Sequence, residues 1–206
     1  MKFRIVEIES ETPSARDWAA AEPYLLRENE GGGEPSHRTE LRALYGRTAL
    51  YLRYTVEDDF ILANMTENNA SLYEEEAVEL FYSPDGNLTR YFELEFNVNQ
   101  AIFFGLIHNP NGNNLGMSLE LLACDGLACH VERNEGGYTV TASIPFAAIG
   151  GAPANGACCN AFRIDWFPEN RRELNALEPT RCNSFHIPSC FAEIEWYNGR
   201  ERSSKS

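Results

Sequence analysis

The feature that most constrains this chain is a hydrophobic period of two. Residues 91–98 alternate cleanly, with Phe92, Leu94, Phe96 and Val98 on one side and Tyr91, Glu93, Glu95 and Asn97 on the other. Such alternation belongs to a strand with one face on a core. Residues 48–56 repeat the pattern, setting Leu50, Leu52, Tyr54 and Val56 against Tyr51, Arg53 and Thr55, and residues 138–144 place Tyr138, Val140, Ala142 and Ile144 inward. Further strands are expected at 39–45, 77–82, 101–107, 118–122, 128–133, 161–166 and 191–197. Turn sequences such as Gly46-Arg47, Pro84-Asp85-Gly86-Asn87 and Glu135-Gly136-Gly137 separate them. Helical candidates are short: a capping box, Ser14-x-x-Asp17, ahead of Trp18, and one turn over 146–149. A doubly wound α/β fold needs intervening helices of roughly ten or more residues, and these are missing. The pattern predicts an all-β fold, an antiparallel β-sandwich forming a single domain over residues 1–206. Gly31-Gly32-Gly33-Glu34-Pro35 reads as a loop and residues 200–206 as a polar tail, neither long enough to link two domains.

Charge narrows the partners. The 206 residues carry 31 acidic and 17 basic side chains, a net charge of −14. An excess of this size repels phosphate backbones, which argues against nucleic acid and against acidic membrane surfaces. No segment approaches the roughly 20 apolar residues of a membrane helix. The start, Met1-Lys2-Phe3-Arg4-Ile5-Val6-Glu7, lacks the apolar run and cleavage site of a signal peptide, so a cytoplasmic location is expected. The six cysteines, at 124, 129, 158, 159, 182 and 190, include no Cys-x-x-Cys pair and read as small buried thiols in a reducing compartment. Nucleophilic triads, phosphate loops and dinucleotide fingerprints are not recognisable.

The most informative segment runs from Leu72 to Tyr82. If Val78, Leu80 and Tyr82 face the core, Glu79 and Phe81 point the other way, as do Glu93, Glu95 and Asn97 on the next strand. Like charges on one face of neighbouring strands repel by some tenths of a kcal/mol each. Such a cluster persists where it is solvated, paired with Arg, bound to a metal or offered to a polar ligand.

Four segments together resemble carbohydrate-binding module family 9. They are the strand Ala49-Leu50-Tyr51-Leu52-Arg53-Tyr54-Thr55-Val56-Glu57-Asp58, the stretch Tyr73-x-x-Glu76-x-Val78-Glu79-Leu80-Phe81, the strand 138–145 ending in Ile144-Pro145, and Phe185-His186-x-Pro188-x-x-Phe191. The resemblance implies a lectin-like sandwich whose ligand is a saccharide held between aromatic side chains, with carboxylates and amides on the hydroxyls. It puts Tyr73 at the first stacking position and Glu79 at the acidic position that meets hydroxyls. Glu95 and Asn97 share that face, Asp165 falls where relatives often carry Asn, and Arg163 accompanies it. Leu177 aligns with the second stacking Trp, where a leucine offers no flat face, and Phe167, on the side of Arg163 and Asp165, is the replacement platform. Calcium, frequent in sandwich lectins, would use the hard oxygens of Asp58 and Asp59. Two alternatives stand beside non-catalytic binding. One is a carbohydrate-active hydrolase, or its accessory subunit, using a pair among Glu79, Glu93 and Glu95. The other is a haem module of the same sandwich class, drawing axial ligands from Met65, Met117, His108, His130 and His186.

Overall fold

The computed structural model describes residues 1–198; the tail over 200–206 lies outside them. The described residues hold fourteen strands: β1 (Lys2–Glu7), β2 (Tyr24–Leu25), β3 (Arg27–Glu28), β4 (Thr39–Tyr45), β5 (Ala49–Glu57), β6 (Ala77–Ser83), β7 (Arg90–Phe96), β8 (Ile102–His108), β9 (Ser118–Leu121), β10 (Ala128–Asn134), β11 (Gly137–Pro145), β12 (Cys158–Phe167), β13 (Arg171–Ala176) and β14 (Ala192–Tyr197). They hydrogen-bond in the order β10-β11-β5-β4-β1-β14-β12-β6-β7-β8-β9, with β13 on β12, β3 on β13 and β2 on β4. The sheet curls back on itself, so that β4, β5 and β11 share one core with β6, β7 and β12. Leu50, Leu52, Tyr54, Val140 and Ile144 come from one side of that core, and Val78, Leu80, Leu94 and Phe96 from the other. Phe92, expected in the core, is half-buried at its rim.

The sandwich expected from periodicity is present, with one departure from antiparallel pairing. β1 runs parallel to both β4 and β14. Its inward residues, Phe3 and Ile5, are essentially buried, yet the charged side chains between them hide the strand in the sequence. The capping box forms: Ser14 N–H donates to Asp17 Oδ2 and Asp17 N–H to Ser14 Oγ, opening the helix Ala15–Ala20 that buries Trp18. Residues 146–149 close only as a turn, with Ile149 N–H donating to the Phe146 carbonyl. The hairpin between β10 and β11 requires its glycine. Gly137 has φ +142, and a Cβ there would meet the Val56 carbonyl oxygen at 1.9 Å.

The inter-sheet core also holds an ionic network. Register pairs Arg163 of β12 with Val78 and Phe162 with Glu79, so Arg163 faces the core and Glu79 faces away. Nη2 of Arg163 lies 2.8 Å from Asp58, 3.0 Å from Asp165 and 3.1 Å from Glu76, while Nη1 donates to the Glu57 carbonyl and Thr39 Oγ1. All three carboxylates and the guanidinium are buried. One cation cannot neutralise three anions. Burial and a bond to Asp58 push Glu76 up to about 9, so this carboxyl keeps its proton and the group approaches balance. Tyr138 Oη donates to Glu76 Oε1 at 2.6 Å, tying β11 to the same cluster.

Removing one partner from a buried ionic group costs about 3–5 kcal/mol, because the others are left uncompensated. Arg163→Met is therefore expected to lose that much stability in urea unfolding at pH 7. The loss should shrink towards pH 5, where the stranded carboxylates take up protons. A penalty independent of pH would assign the loss to packing alone.

Candidate functional site

On the other face of β6, β7 and β12 the residues expected at a site divide into two groups. Glu79 on β6 lies directly opposite Glu95 on β7, and Glu93 opposes Phe81. These side chains are not a solvated surface: exposure is 1% for Glu79, 5% for Glu93 and 0% for Glu95. Two covers bury them. One is the edge formed by β8 and β9, from which Phe103, Ile107 and Leu119 project. Gly105, opposite Glu93, has no side chain, and Leu119 packs into the space a Cβ would need. The other cover is β13 with the segment 183–186.

That second cover is held by an aromatic cluster. Phe185 stacks on Phe162 with ring centroids 4.1 Å apart, and Phe81 meets Phe162 and His186 at 4.9 Å each. Tyr91 Oη and His186 Nδ1 are 2.9 Å apart, and Asn109 Nδ2 donates to both Tyr91 Oη and the His186 carbonyl. Upstream, Thr180 Oγ1 donates to the Ser184 carbonyl, and Asn29 brackets Thr180 through both ends of its amide. The Phe185-His186 motif is thus the wall of a cleft rather than a set of free ligand groups. Burial lowers the His186 imidazole to about 4, which keeps it neutral.

Between the covers lies a cleft of about 400 Å³. Glu79, Phe81 and Glu93 form its floor, and Tyr73, Phe103, Met117 and Leu119 one wall. Arg172, Leu174, Asn183, Ser184, Phe185 and His186 form the other. Tyr73 sits on a short 3-10 turn, Leu72–Glu74, anchored by the buried Leu72 and by Glu75, which accepts from the backbone of Asn64 and Met65. Its ring, 43% exposed, meets Phe103 edge-on at 6.0 Å. The half-exposed aromatic face and the acid floor are the two features the family resemblance implies at this site.

The floor is electrostatically unusual. Glu79, Glu93 and Glu95 each bring an oxygen to within 4.8 Å of the others. Glu79 Oε1 and both oxygens of Glu95 are buried without a hydrogen-bond partner. The Tyr73 backbone N–H leans towards Glu95, short of a formed bond. Among the described residues no Lys or Arg lies within ion-pair distance of the three; Glu93 leans on Glu95 and has His186 at 3.9 Å. Desolvation pushes all three carboxyls up, Glu93 to about 8; repulsion from neighbouring acids adds to it at Glu79 and Glu95, while the Arg172 charge lowers Glu79 and the contact with Glu95 lowers Glu93.

The remaining expected site residues lie elsewhere. Arg163 and Asp165 belong to the ionic network in the core, on the opposite face of the sheet from Glu79, because β12 pairs with β6 in the register that puts Phe162, not Arg163, beside the acids. Phe167 shares their side and is buried, stacked on His37 at 5.0 Å beneath Arg171. Leu177 is a core residue, 4% exposed, where the chain leaves β13 and its N–H bonds to the Ala161 carbonyl. It holds no stacking position. Asn97 lies on the acid face but is committed to the β7–β8 turn, accepting from Asn99 and Ala101 and donating to the Met65 carbonyl. Asp58 carries the Arg163 guanidinium, whereas Asp59 is exposed with His37 at 3.4 Å. The candidate axial ligands do not gather: His108 and His130 are exposed, Met65 packs against the small cluster of Leu72, Ala77, Ala101 and Phe103, and of the five only Met117 and His186 share the cleft. All six cysteines are free, two of them buried and four half-buried.

Arg172 and Leu174 were not expected. Both lie on β13, whose sequence Arg171-Arg172-Glu173-Leu174-Asn175-Ala176 carries only two apolar residues. The available signal was the turn Pro168-Glu169-Asn170, in which Glu169 and Asn170 adopt φ 65 and 58 and fold β13 back on β12.

The acid floor sets how stability depends on pH. Glu93 titrates near 4.5 in the unfolded chain and near 8 when folded, so between those values the folded state holds a proton that the unfolded state has released. Stability from this source is complete below about pH 4.5 and falls as pH rises, by up to about 1.4 kcal/mol per pH unit for each retained proton. Urea unfolding at pH 5, 6, 7 and 8 should show that decline. Glu95→Gln, which removes one of three mutually repelling groups, should flatten it and gain stability at pH 8. A stability that climbs from pH 5 to pH 8 would mean that the three acids are ionised and paired. Leu177→Trp, placed in the packed core, should cost about 1–3 kcal/mol through overpacking.

Comparison with known proteins places this geometry. The family described as "Carbohydrate family 9 binding domain-like" matches residues 15–191. Among solved structures, a proposed carbohydrate-binding protein from Bacteroides uniformis superposes with a TM-score of 0.76 at 14% identity, covering 95% of this chain and 99% of that one. A family 9 module from Caldicellulosiruptor kristjanssonii in complex with cellotriose superposes at 0.68 with 17% identity, covering 99% and 98%. The same organism's family 9 module in complex with glucose gives 0.67 at 16% identity, covering 95% and 96%. None of the curated proteins compared matches the sequence significantly. With the family match spanning most of the chain and the curled β-sandwich shared from end to end, this chain belongs to the carbohydrate family 9 binding domain-like proteins.

Proposed function

We propose that this chain is a non-catalytic saccharide-binding domain and that the cleft between Tyr73 and Phe185 is its site. The observation that carries the reading is a half-exposed aromatic ring beside a buried carboxylate, Glu79, whose Oε1 lacks a partner at the cleft floor. A pyranose presents a C–H face, which suits the Tyr73 ring, and a rim of hydroxyls, which suits acceptors such as Glu79 and Glu93. Arg172, Asn183 and Ser184 line the opposite wall and can donate to ring or hydroxyl oxygens. The relatives crystallised with glucose and cellotriose support a gluco-configured ligand.

Binding fits the acid floor better than hydrolysis. A retaining or inverting pair needs one carboxylate ionised and the other protonated, in environments that drive their titrations apart. Here all three acids are driven the same way, upward, by shared burial.

Affinity should be weak, since one exposed aromatic face adds on the order of 1 kcal/mol beyond its buried area, leaving dissociation constants nearer millimolar than micromolar. Ligand-observed NMR and calorimetry with glucose, cellobiose and cellotriose should detect binding, and Tyr73→Ala should remove it while leaving the urea midpoint close to that of the parent. If none of these sugars binds, or if Tyr73→Ala binds as well as the parent, the cleft is not the site.

A further inference from the structure

Resting on the reading of the cleft as a saccharide site, we infer that its preferred ligand carries a positive charge: an amino sugar whose ammonium group sits over Glu79, Glu93 and Glu95, between the aromatic walls. The argument begins with what the cleft lacks. Three carboxylates, each at least nine-tenths buried, converge within 4.8 Å, and three of their oxygens are buried with no partner. A buried polar group without a partner is costly, and a buried acid without a cation is costlier. The core of the same protein shows how such a group is satisfied internally. Asp58, Glu76 and Asp165 converge just as closely and hold the Arg163 guanidinium at 2.8 to 3.1 Å. At the cleft floor no residue plays that part among those described; Glu79 and Glu93 face the ligand space, with Glu95 buried beside them.

The charged and titratable groups around the floor leave that role to the ligand. β6 contributes Glu79 and β7 contributes Glu93 and Glu95, while Tyr91 on the same strand is bonded to His186 and Asn109. His186, on the facing segment, is neutral. Arg172, on β13, is exposed, lies above the Trp166 ring at 6.0 Å and lines the cleft; its charge reaches Glu79 through space but stands beyond ion-pair distance of the floor. A neutral sugar can donate hydroxyls to these acids but cannot offset their charge. An ammonium group does both, with three N–H donors and a full positive charge. Its arrival favours the ionised acids, so protons held by the empty floor leave as it binds. A neutral sugar displaces none.

The test compares glucose, glucosamine and N-acetylglucosamine, and cellotriose with the glucosamine trimer, by calorimetry at pH 7 in buffers of different ionisation enthalpy. A charge-assisted hydrogen bond exceeds a neutral one by enough to give glucosamine about a tenfold advantage over glucose, which acetylation of the amine should abolish. The apparent enthalpy for glucosamine should vary with the buffer, reporting proton release, whereas that for glucose should not. Glu95→Gln should bring the ratio of glucosamine to glucose affinity towards one, and Arg172→Gln should raise it. The comparison in the parent protein needs no variant to fold. If glucose and glucosamine bind alike, or if glucosamine binds without buffer dependence, this inference fails while the saccharide site stands. Saturable calcium binding that displaces glucosamine would assign the floor to a divalent cation and overturn it as well. If no sugar of either charge binds, the saccharide site itself fails.

Discussion

Burial of both faces of β6, β7 and β12 is the constraint on which the rest of this structure depends. In a sandwich with one solvated face, alternate residues can be charged at no cost. Here β6 is buried at every position from Ala77 to Ser83, and β7 from Leu94 to Phe96. Each polar residue on these strands must find a partner inside the protein, keep a proton, or wait for a ligand. The curled sheet covers one face, and the β8–β9 edge with the segment 183–186 covers the other.

Two acidic clusters on opposite faces of these strands show two solutions to one problem. On the core side a guanidinium held by five hydrogen bonds, to three carboxylates, a carbonyl and a threonine hydroxyl, links β4, β5, β12 and the turn before β6. On the cleft side no cation among the described residues stands within ion-pair distance, and burial raises the acids towards their neutral forms. The first cluster holds the sheets together. The second holds unmet hydrogen-bonding capacity next to a half-exposed tyrosine, which is the physical content of a binding site.

The wall that completes the cleft is built from interactions that a linear motif does not advertise. Phe185 and His186 do not reach out to a ligand. They are stacked and hydrogen-bonded onto Phe81, Tyr91 and Phe162, and so fix where Asn183, Ser184 and Arg172 stand. A motif residue that packs can matter to function by positioning its neighbours.

By itself the sequence determined the element types and the inward set of most strands, because a period of two survives in any context that buries one face. Residues 91–98, 48–56 and 138–144 were legible for that reason; the Ser14 capping box was legible from its own spacing, and the placing of Tyr73 with Glu79 from the family resemblance alone. It did not reveal β1 and β13, whose charged and polar residues mask three and two apolar positions. Only the tertiary structure decided which face of β12 meets which face of β6. That one register choice sends Arg163 and Asp165 into the core, Phe167 under Arg171, and Phe162 and Ile164 to the cleft side. Alternation separates odd from even residues within a strand, but it does not say which set joins a neighbour's odd or even set across the hydrogen bonds. It also does not say that a second layer covers the outer face. The Glu79, Glu93 and Glu95 set could be assigned to one face from sequence, yet its burial, and the demand for charge that burial creates, arises only when β9 and the segment 183–186 close over it.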